Sequence, residues 1–299
     1  MTARIHAFDM PEVQVPPEWE RIDFDGVVGV QMVIGAPDAG KSTFARYLYR
    51  KCSLSGQKTA FIDGDPGQSV LGPPTTETLI VGKFGDPGFP PREPAWRKFV
   101  GSTSPSGYLL PTVVGAGRLC EKARQAGATV IIYDTTGLVD PRLGGLALKH
   151  AKIDLLQPRR VYAIQQDKEL EPLLGMLRKS QRCELVQLAP TEAVISRDME
   201  RRQIYRTEQF AAYFKEAIPQ TFRWTQYGIY PAPRFALERL VALEDREGFT
   251  LALGIVVEID RERGEVTLLA PPVDLNKVRL LNLGDILINP QTFQDRRLD

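Results

Sequence analysis

A glycine-rich loop in the first fifth of the chain has the residue types needed to hold phosphate groups. Residues 35–43 read Gly-Ala-Pro-Asp-Ala-Gly-Lys-Ser-Thr and fit the pattern G-x-x-x-x-G-K-[ST]. The glycines let consecutive backbone N–H groups approach the phosphate oxygens of a nucleoside triphosphate. Lys41 supplies a charge to the β- and γ-phosphates, and Ser42 a hydroxyl ligand for Mg²⁺. The loop predicts a nucleotide site made by Gly35, Ala36, Pro37, Asp38, Ala39, Gly40, Lys41, Ser42 and Thr43.

An acidic segment follows at the end of the next predicted strand, where residues 61–68 read Phe-Ile-Asp-Gly-Asp-Pro-Gly-Gln. Asp63 and Asp65 are two apart on an extended segment, so we expect both carboxylates to point toward the phosphates. One would order Mg²⁺ through water, and the other would accept a proton from an attacking hydroxyl. The structural alternative is a turn, because Asp, Gly and Pro are common turn residues.

A third segment, residues 130–138, is a predicted buried strand that ends in Asp-Thr-Thr-Gly. Its hydroxyls and flexible backbone would lie near the γ-phosphate, although such residues also close ordinary βα turns. A fourth segment, residues 196–206, opens a predicted helix and contains Arg197, Arg201, Arg202 and Arg206. Guanidinium groups that close over a transferring phosphate stabilise its charge. The alternative for this charge run is a solvated helix face.

The pattern around these segments predicts how they are positioned. Short apolar runs at 28–34, 59–62, 130–133, 161–164 and 185–188 alternate with helical stretches at 41–53, 112–126, 142–156, 168–180 and 198–217. This order indicates an α/β fold, with a mainly parallel sheet flanked by helices and ligands at its carboxyl edge. The proline-rich stretch 69–110 contains at most short strands, near 78–81 and 98–100, and we expect it to form a wall beside the substrate.

Three regions are predicted along the chain. Residues 1–24 are rich in proline and acidic residues and read as an extended N-terminal arm, and residues 25–221 form the nucleotide-binding domain. Residues 222–299 read as a small antiparallel β-domain, with strands near 237–243, 250–259, 265–270 and 277–281.

Composition excludes several classes of function. The formal net charge of +1 means that any nucleic-acid site has to be a local patch. The three cysteines have no C-x-x-C spacing, and two histidines provide little material for a zinc site or a Ser-His-Asp triad. No apolar run approaches the roughly 20 residues that span a bilayer, and the N-terminus has no signal-peptide core. We therefore expect a cytoplasmic protein that does not bind membranes.

These four segments and a fifth motif at 101–105 together resemble the polynucleotide 5′-hydroxyl kinases of RNA processing. This family includes the kinase subunit of the mRNA 3′-end cleavage machinery, the rRNA-processing kinase and shorter prokaryotic relatives. The resemblance covers residues 25–290 and is carried by the phosphate loop, the D-x-D-x-G-Q element at 63–68, G-S-T-S-P at 101–105, the clasp Thr-Thr-Gly at 135–137 and the R-x-x-x-R lid at 202–206.

The resemblance implies transfer of the γ-phosphate of ATP, with Mg²⁺, to the 5′-OH end of RNA or DNA. Lys41 would hold the β- and γ-phosphates, Ser42 would bind Mg²⁺ and Thr43 would contact the α-phosphate. Asp65 resembles the base that accepts the proton of the 5′-OH. Supporting roles are implied for Asp63 and Gln68 with metal and water, for Thr135 and Gly137 in the clasp, and for Arg201, Arg202 and Arg206 in the lid.

Two departures from the family pattern bear on the function. Leu138 stands where the clasp has tryptophan, so aromatic stacking against the substrate must come from elsewhere or be absent. The large N-terminal β-domain of the eukaryotic members is also missing. A scaffold or switch protein that holds ATP without spending it is therefore an alternative, and a GTPase-like regulator is another. The segment 165–168 is not an Asn-Lys-x-Asp guanine motif, and the oligomeric state is unknown.

Overall fold

The structure is a computed structural model that describes residues 15–24, 26–91, 95–190 and 198–298. The helices in these ranges are α1 (Pro17–Glu20), α2 (Lys41–Leu54), α3 (Leu109–Gln125), α4 (Gly145–Leu156), α5 (Glu171–Ser180) and α6 (Met199–Tyr213). The strands are β1 (Gly29–Gly35), β2 (Thr59–Gly64), β3 (Thr76–Val81), β4 (Ala95–Phe99), β5 (Val130–Thr135), β6 (Arg160–Ile164), β7 (Glu184–Leu188), β8 (Ile218–Arg223), β9 (Gly228–Tyr230), β10 (Arg239–Glu244), β11 (Thr250–Asp260), β12 (Glu265–Ala270), β13 (Leu280–Ile288) and β14 (Asp295–Arg297). Among the helices described, none is both long and apolar enough to cross a membrane.

The first sheet places the predicted site. Its strand order is β4–β3–β2–β5–β1–β6–β7. The neighbours from β2 to β7 in this order pair in parallel, whereas β3 and β4 are antiparallel additions at one edge. Because β1, β2 and β5 are parallel neighbours, their carboxyl ends bring the phosphate loop, the acidic segment and residues 134–138 to one edge. The predicted α/β fold with a mainly parallel sheet is confirmed.

Helices cover both faces of this sheet, which explains why its central strands are apolar runs without alternation. Met32 and Ile34 of β1 pack in the core that contains α3, α4 and α5. Val33, between them, faces the opposite core with Phe44 and Leu48 of α2. These two buried layers fix the end of β1, and with it the loop that leads into α2.

The second sheet is mainly antiparallel, in the order β14–β13–β10–β11–β12–β8, with β9 paired in parallel to β13. One of its faces is covered by α6, through Phe210 and Phe214, and by Phe99 of β4. This covered face joins the second sheet to the helix that carries the predicted lid arginines, and it also reaches the edge of the first sheet.

Several predicted boundaries differ from the structure. Residues 1–14 of the predicted arm and Arg197 lie outside the described residues, and the arm is not extended at α1, where Trp19 is buried against Phe44. The predicted helix at 198–217 ends at Tyr213 because β8 of the second sheet begins five residues later, at 218. The predicted strand at 277–281 is displaced, since Leu275–Lys277 forms a 3-10 turn before β13. The predicted domain boundary after residue 221 falls inside β8, and the domain division stays a prediction.

Candidate active site

The phosphate loop joins β1 to α2 through a backbone that demands glycine. Gly40 caps α2 with a φ of 90°, in the left-handed region that favours glycine. A Cβ at Gly35 would lie 2.6 Å from the carbonyl oxygen of Ile164, so no larger residue fits there. The loop therefore presents its backbone and the N-terminus of a 14-residue helix to the same place, which is a favourable position for phosphate.

Lys41 is the first residue of α2 and is almost fully buried. Its Nζ donates a hydrogen bond of 2.6 Å to the carbonyl oxygen of Ala36 in the same loop. Burial lowers the pKa of Lys41, whereas the carboxylates of Asp134, Asp65 and Asp38 act to raise it. The loop lysine is thus in the electrostatic field of these three carboxylates.

Asp134 is a site residue that the sequence reading did not single out. It lies near the end of β5, is 2% exposed, and accepts a hydrogen bond from the Ser42 hydroxyl. One carboxylate oxygen, Oδ1, has no hydrogen-bond partner among the described residues. Burial, together with the charge of Asp63, raises the pKa of Asp134 to about 7. The signal was available, because an acidic residue at the end of a buried strand beside a phosphate loop is a known metal position.

Asp63 holds the chain that follows it. Its Oδ2 accepts hydrogen bonds from the Ser69 hydroxyl at 2.8 Å and from the backbone N–H groups of Val70 and Leu71 at 2.6 and 3.0 Å. Burial raises the pKa of Asp63, and these three hydrogen bonds act in the opposite direction. The predicted metal role of Asp63 stays a prediction, and the geometry favours Asp134 for it.

Asp65 follows β2 and is only partly buried. Its Oδ1 accepts hydrogen bonds from the backbone N–H groups of Gly67 at 2.8 Å and Gln68 at 3.0 Å, which closes a turn. The amide of Gln68 donates to the carbonyl oxygen of Arg202 at 3.4 Å, so the acidic turn contacts the lid helix. The turn alternative and the catalytic prediction are therefore compatible, because the turn orients the carboxylate near Lys41.

The clasp residues pack directly on the phosphate loop. A Cβ at Gly137 would lie 2.8 Å from the Cα of Pro37, so glycine permits this close approach. The Thr135 hydroxyl donates a 2.7 Å hydrogen bond to the carbonyl of Val33 inside the sheet and thus braces β5 against β1. Lys149 of α4, 1% exposed, donates a 2.8 Å hydrogen bond to the carbonyl of Thr136. Burial lowers the pKa of Lys149 well below its ordinary value.

The lid helix α6 begins with an Asp198 cap and reaches the phosphate loop through one arginine. Arg202 Nη2 donates a 2.7 Å hydrogen bond to Asp38 Oδ2 in the loop. Arg201 is exposed, and its backbone N–H donates to the Asp198 cap at 2.8 Å. Tyr205 adds a 2.8 Å hydrogen bond from its hydroxyl to the carbonyl oxygen of Ser69.

Arg206, the second predicted lid arginine, is directed away from the phosphate loop. Its Nε lies 3.0 Å from Oδ1 of Asp295 in β14, and Gln203 donates a 2.7 Å hydrogen bond to the same oxygen. The Asp295 side chain is 5% exposed. The structure therefore brings Lys41, Ser42, Asp65, Gln68 and Arg202 together at the edge of the first sheet, and Arg206 to the second sheet.

Residues 35–216 match the sequence model of a family described as the mRNA cleavage and polyadenylation factor CLP1 P-loop. The chain belongs to the CLP1 P-loop family. This confirms the family predicted from the ordered motifs, and the matched range begins at the phosphate loop and ends just after the lid helix.

Curated relatives of this CLP1 P-loop chain include archaeal proteins. The polyribonucleotide 5′-hydroxyl-kinase of Pyrococcus furiosus is 26% identical, over 86% of this chain and 87% of that protein. The polyribonucleotide 5′-hydroxyl-kinase of Methanocaldococcus jannaschii is 25% identical, over 86% of each chain. Among solved structures, the wild-type Clp1p–Pcf11p complex matches with a TM-score of 0.67 at 13% identity, covering 90% of this chain and 77% of that chain. The last similarity supports the fold alone.

Proposed function

We propose that this chain is a polynucleotide 5′-hydroxyl kinase that transfers the γ-phosphate of ATP to the 5′-OH end of RNA or DNA. The observation that carries the proposal is the bridge made by Arg202. Its guanidinium holds Asp38 of the phosphate loop at 2.7 Å, and its carbonyl accepts from Gln68 of the acidic turn. One lid residue thus connects the donor side of the site to the side that carries Asp65.

The roles of the side chains follow from this arrangement. Asp65 accepts the proton of the 5′-hydroxyl. The hydroxyl oxygen forms a bond to the γ-phosphorus, and the bond between the γ-phosphorus and the β–γ bridging oxygen breaks, which leaves ADP. Lys41 and Arg202 stabilise the charge that spreads over the transferring phosphoryl group. Lys149 and Gly137 fix the clasp backbone on Pro37, which keeps the phosphate loop in one position during the reaction.

The residues at the end of β5 fit a magnesium ion. Ser42 and Asp134 provide a hydroxyl and a carboxylate on neighbouring elements, and Asp134 Oδ1 is buried without a hydrogen-bond partner among the described residues. No group of three His, Cys, Asp or Glu side chains forms a metal site within the described ranges. This donor set suits Mg²⁺, which usually takes only one or two ligands from the protein and the others from substrate phosphates and water. When bound, Mg²⁺ would neutralise charge on the β- and γ-phosphates.

The names of the relatives support a nucleic-acid end as the phosphate acceptor. The matched proteins of Pyrococcus furiosus and Methanocaldococcus jannaschii are called polyribonucleotide 5′-hydroxyl-kinases, and this chain spans 87% and 86% of their lengths. We infer that the acceptor of this chain is also a nucleic-acid end, with RNA as the first substrate to test and DNA as the second.

The direct experiment incubates the full chain with Mg²⁺ and ATP labelled in the γ-phosphate. Acceptors are RNA and DNA oligonucleotides of one sequence, each prepared with a 5′-hydroxyl and with a 5′-phosphate. We expect label only on the 5′-hydroxyl oligonucleotides, and none with Lys41→Ala. Retention of ATP without transfer would instead support a scaffold. Preferential binding of GTP in a competition with ATP would support the GTPase-like regulator.

A further inference from the structure

A groove of about 490 Å³ lies between the two sheets, outside the phosphate site. One wall comes from the first sheet and the start of α3, with Phe99, Tyr108 and Leu110. The other wall comes from the second sheet, with Tyr230 and Asn282, which are paired partners in β9 and β13. Its volume is in the range of pockets that hold small organic groups, and such pockets are frequent at domain interfaces.

The groove is physically continuous with the acidic turn of the proposed site. A Cβ at Gly67 would lie 2.5 Å from the carbonyl oxygen of Thr103, so the turn touches the loop that leads into the groove. Thr75 connects the same segments, since it donates to Pro66 and accepts from Val100, both at 2.8 Å. β4 itself is two strands from β2, a separation of about 10 Å at the usual strand spacing.

The walls offer rings and apolar surface to a ligand. Tyr230 and Leu110, which line the groove, are 63% and 79% exposed. The hydroxyl of Tyr108 donates to Asp285, which also pairs with Arg239 at 3.1 Å. Asp285 is thus paired with a cation, so the groove does not present an unbalanced negative charge to a nucleic acid.

A cation stands at the rim. Arg297 of β14 is exposed, and its Nη2 would lie 3.9 Å from a Cβ placed on Gly107, one of the lining residues. An aromatic surface beside a guanidinium is the combination that proteins use to bind single-stranded nucleic acid, with bases on rings and phosphates on arginine. Leu138 gives the clasp no aromatic ring, whereas the groove has the rings of Tyr108 and Tyr230.

We propose that this groove binds the base of the second nucleotide of the acceptor strand, with Tyr230 stacking on that base and Arg297 contacting the phosphate that precedes it. The inference rests on the proposed kinase function and adds a substrate subsite to it. A base bound here places the 5′-terminal nucleotide between the groove and the acidic turn, with its hydroxyl toward Asp65.

The test compares 5′-hydroxyl RNA oligonucleotides that are intact, abasic at nucleotide two, or abasic at nucleotide six. We expect the wild-type kcat/KM to fall about 10-fold when base two is missing and to be unchanged when base six is missing. Tyr230→Ala should lower kcat/KM about 10-fold on intact RNA and show no further loss on RNA abasic at nucleotide two. Tyr230→Phe keeps the ring and should behave as the wild type.

Arg297 has a matched control in its neighbour. Arg296 is also exposed on β14 but pairs with Glu238 at 2.9 Å, whereas Arg297 hydrogen-bonds to the side chain of Tyr108 in the groove. Arg297→Ala should raise KM for RNA and weaken its dependence on salt, whereas Arg296→Ala should leave both unchanged. Equal loss from a missing base two in wild type and Tyr230→Ala would overturn the inference. Absence of phosphorylation of every oligonucleotide by the wild type would overturn the proposed function instead.

Discussion

Arg206 of the lid helix lies 3.0 and 3.2 Å from the two carboxylate oxygens of Asp295, in the edge strand of the second sheet. Gln203 bonds to the same carboxylate, and Phe210 packs in the core below. One side of α6 is thus fixed to the second sheet, while Arg202, one turn earlier, reaches the phosphate loop. The second sheet therefore helps to position Arg202.

Asp295→Ala tests this tether. It leaves Arg206 partly buried without its carboxylate, and we expect the free energy of unfolding to fall by about 2 kcal/mol in urea denaturation. The KM for ATP should rise because α6 no longer holds Arg202 against Asp38. The double variant Arg206→Ala/Asp295→Ala should be no worse than either single variant, and strictly additive losses would contradict the tether.

Two buried lysines of α4 should differ in their roles, one in stability and the other in catalysis. Lys152 pairs with the fully buried Glu77 at 2.9 Å, so Lys152→Met leaves a buried charge and should cost about 3–5 kcal/mol of stability. Lys149→Met removes only the hydrogen bond to the Thr136 carbonyl, at about 1–3 kcal/mol. The Lys149→Met variant should affect kcat more than stability, because Gly137 is then held less firmly on the phosphate loop. Urea denaturation and steady-state kinetics on both variants check the order, and the reverse order would refute it.

The pH dependence of stability should show that Asp134 is protonated in the folded protein. Burial, with the Asp63 charge, raises its pKa to about 7, whereas a carboxyl in the unfolded chain ionises near pH 3.9. Between these values the native state keeps a proton that the unfolded state has lost. The stability of the protein without Mg²⁺ and nucleotide should therefore fall as pH rises from about 4 to about 7.

Asp134→Asn serves as the matched variant, because it keeps the shape and cannot ionise. We expect its advantage over the wild type to grow by an amount on the order of 2 kcal/mol between about pH 5 and pH 8. Denaturation curves at the two pH values measure this difference. Parallel pH profiles of stability for the wild type and the variant would mean that Asp134 is not held protonated. The variant should also lose kinase activity, because it lacks the proposed metal-binding carboxylate.

The local motifs were predictable because their geometry is encoded by neighbours in sequence. Gly40 with its left-handed backbone, Lys41 at the start of α2, and the strand before them all follow from the residues of one segment. The parallel sheet follows from the alternation of apolar runs and helices. These predictions depend on few distant contacts, and the structure confirms the fold that they imply.

The partners of charged side chains were harder to predict, because they depend on segments far apart in the chain. Both Asp63 and Asp65 were expected to face phosphate, but one oxygen of Asp63, Oδ2, accepts hydrogen bonds from Ser69 and from two backbone N–H groups. Arg206 was expected over the site, but Asp295, 89 residues later, binds it. Asp134 was not predicted, because its partner Ser42 belongs to α2 and is distant in the chain, whereas the threonines and the glycine of residues 130–138 follow each other directly.

The central claim is that Asp65 stands opposite the phosphate loop as the base for a 5′-hydroxyl. The most direct measurement is the transfer of labelled γ-phosphate from ATP to a 5′-hydroxyl RNA by wild type and by Asp65→Asn, with ATP affinity measured in parallel. The account predicts transfer by the wild type and a loss of about 100- to 10,000-fold in kcat for the variant, with ATP binding retained. Undiminished transfer by Asp65→Asn, or no transfer by the wild type, would contradict it.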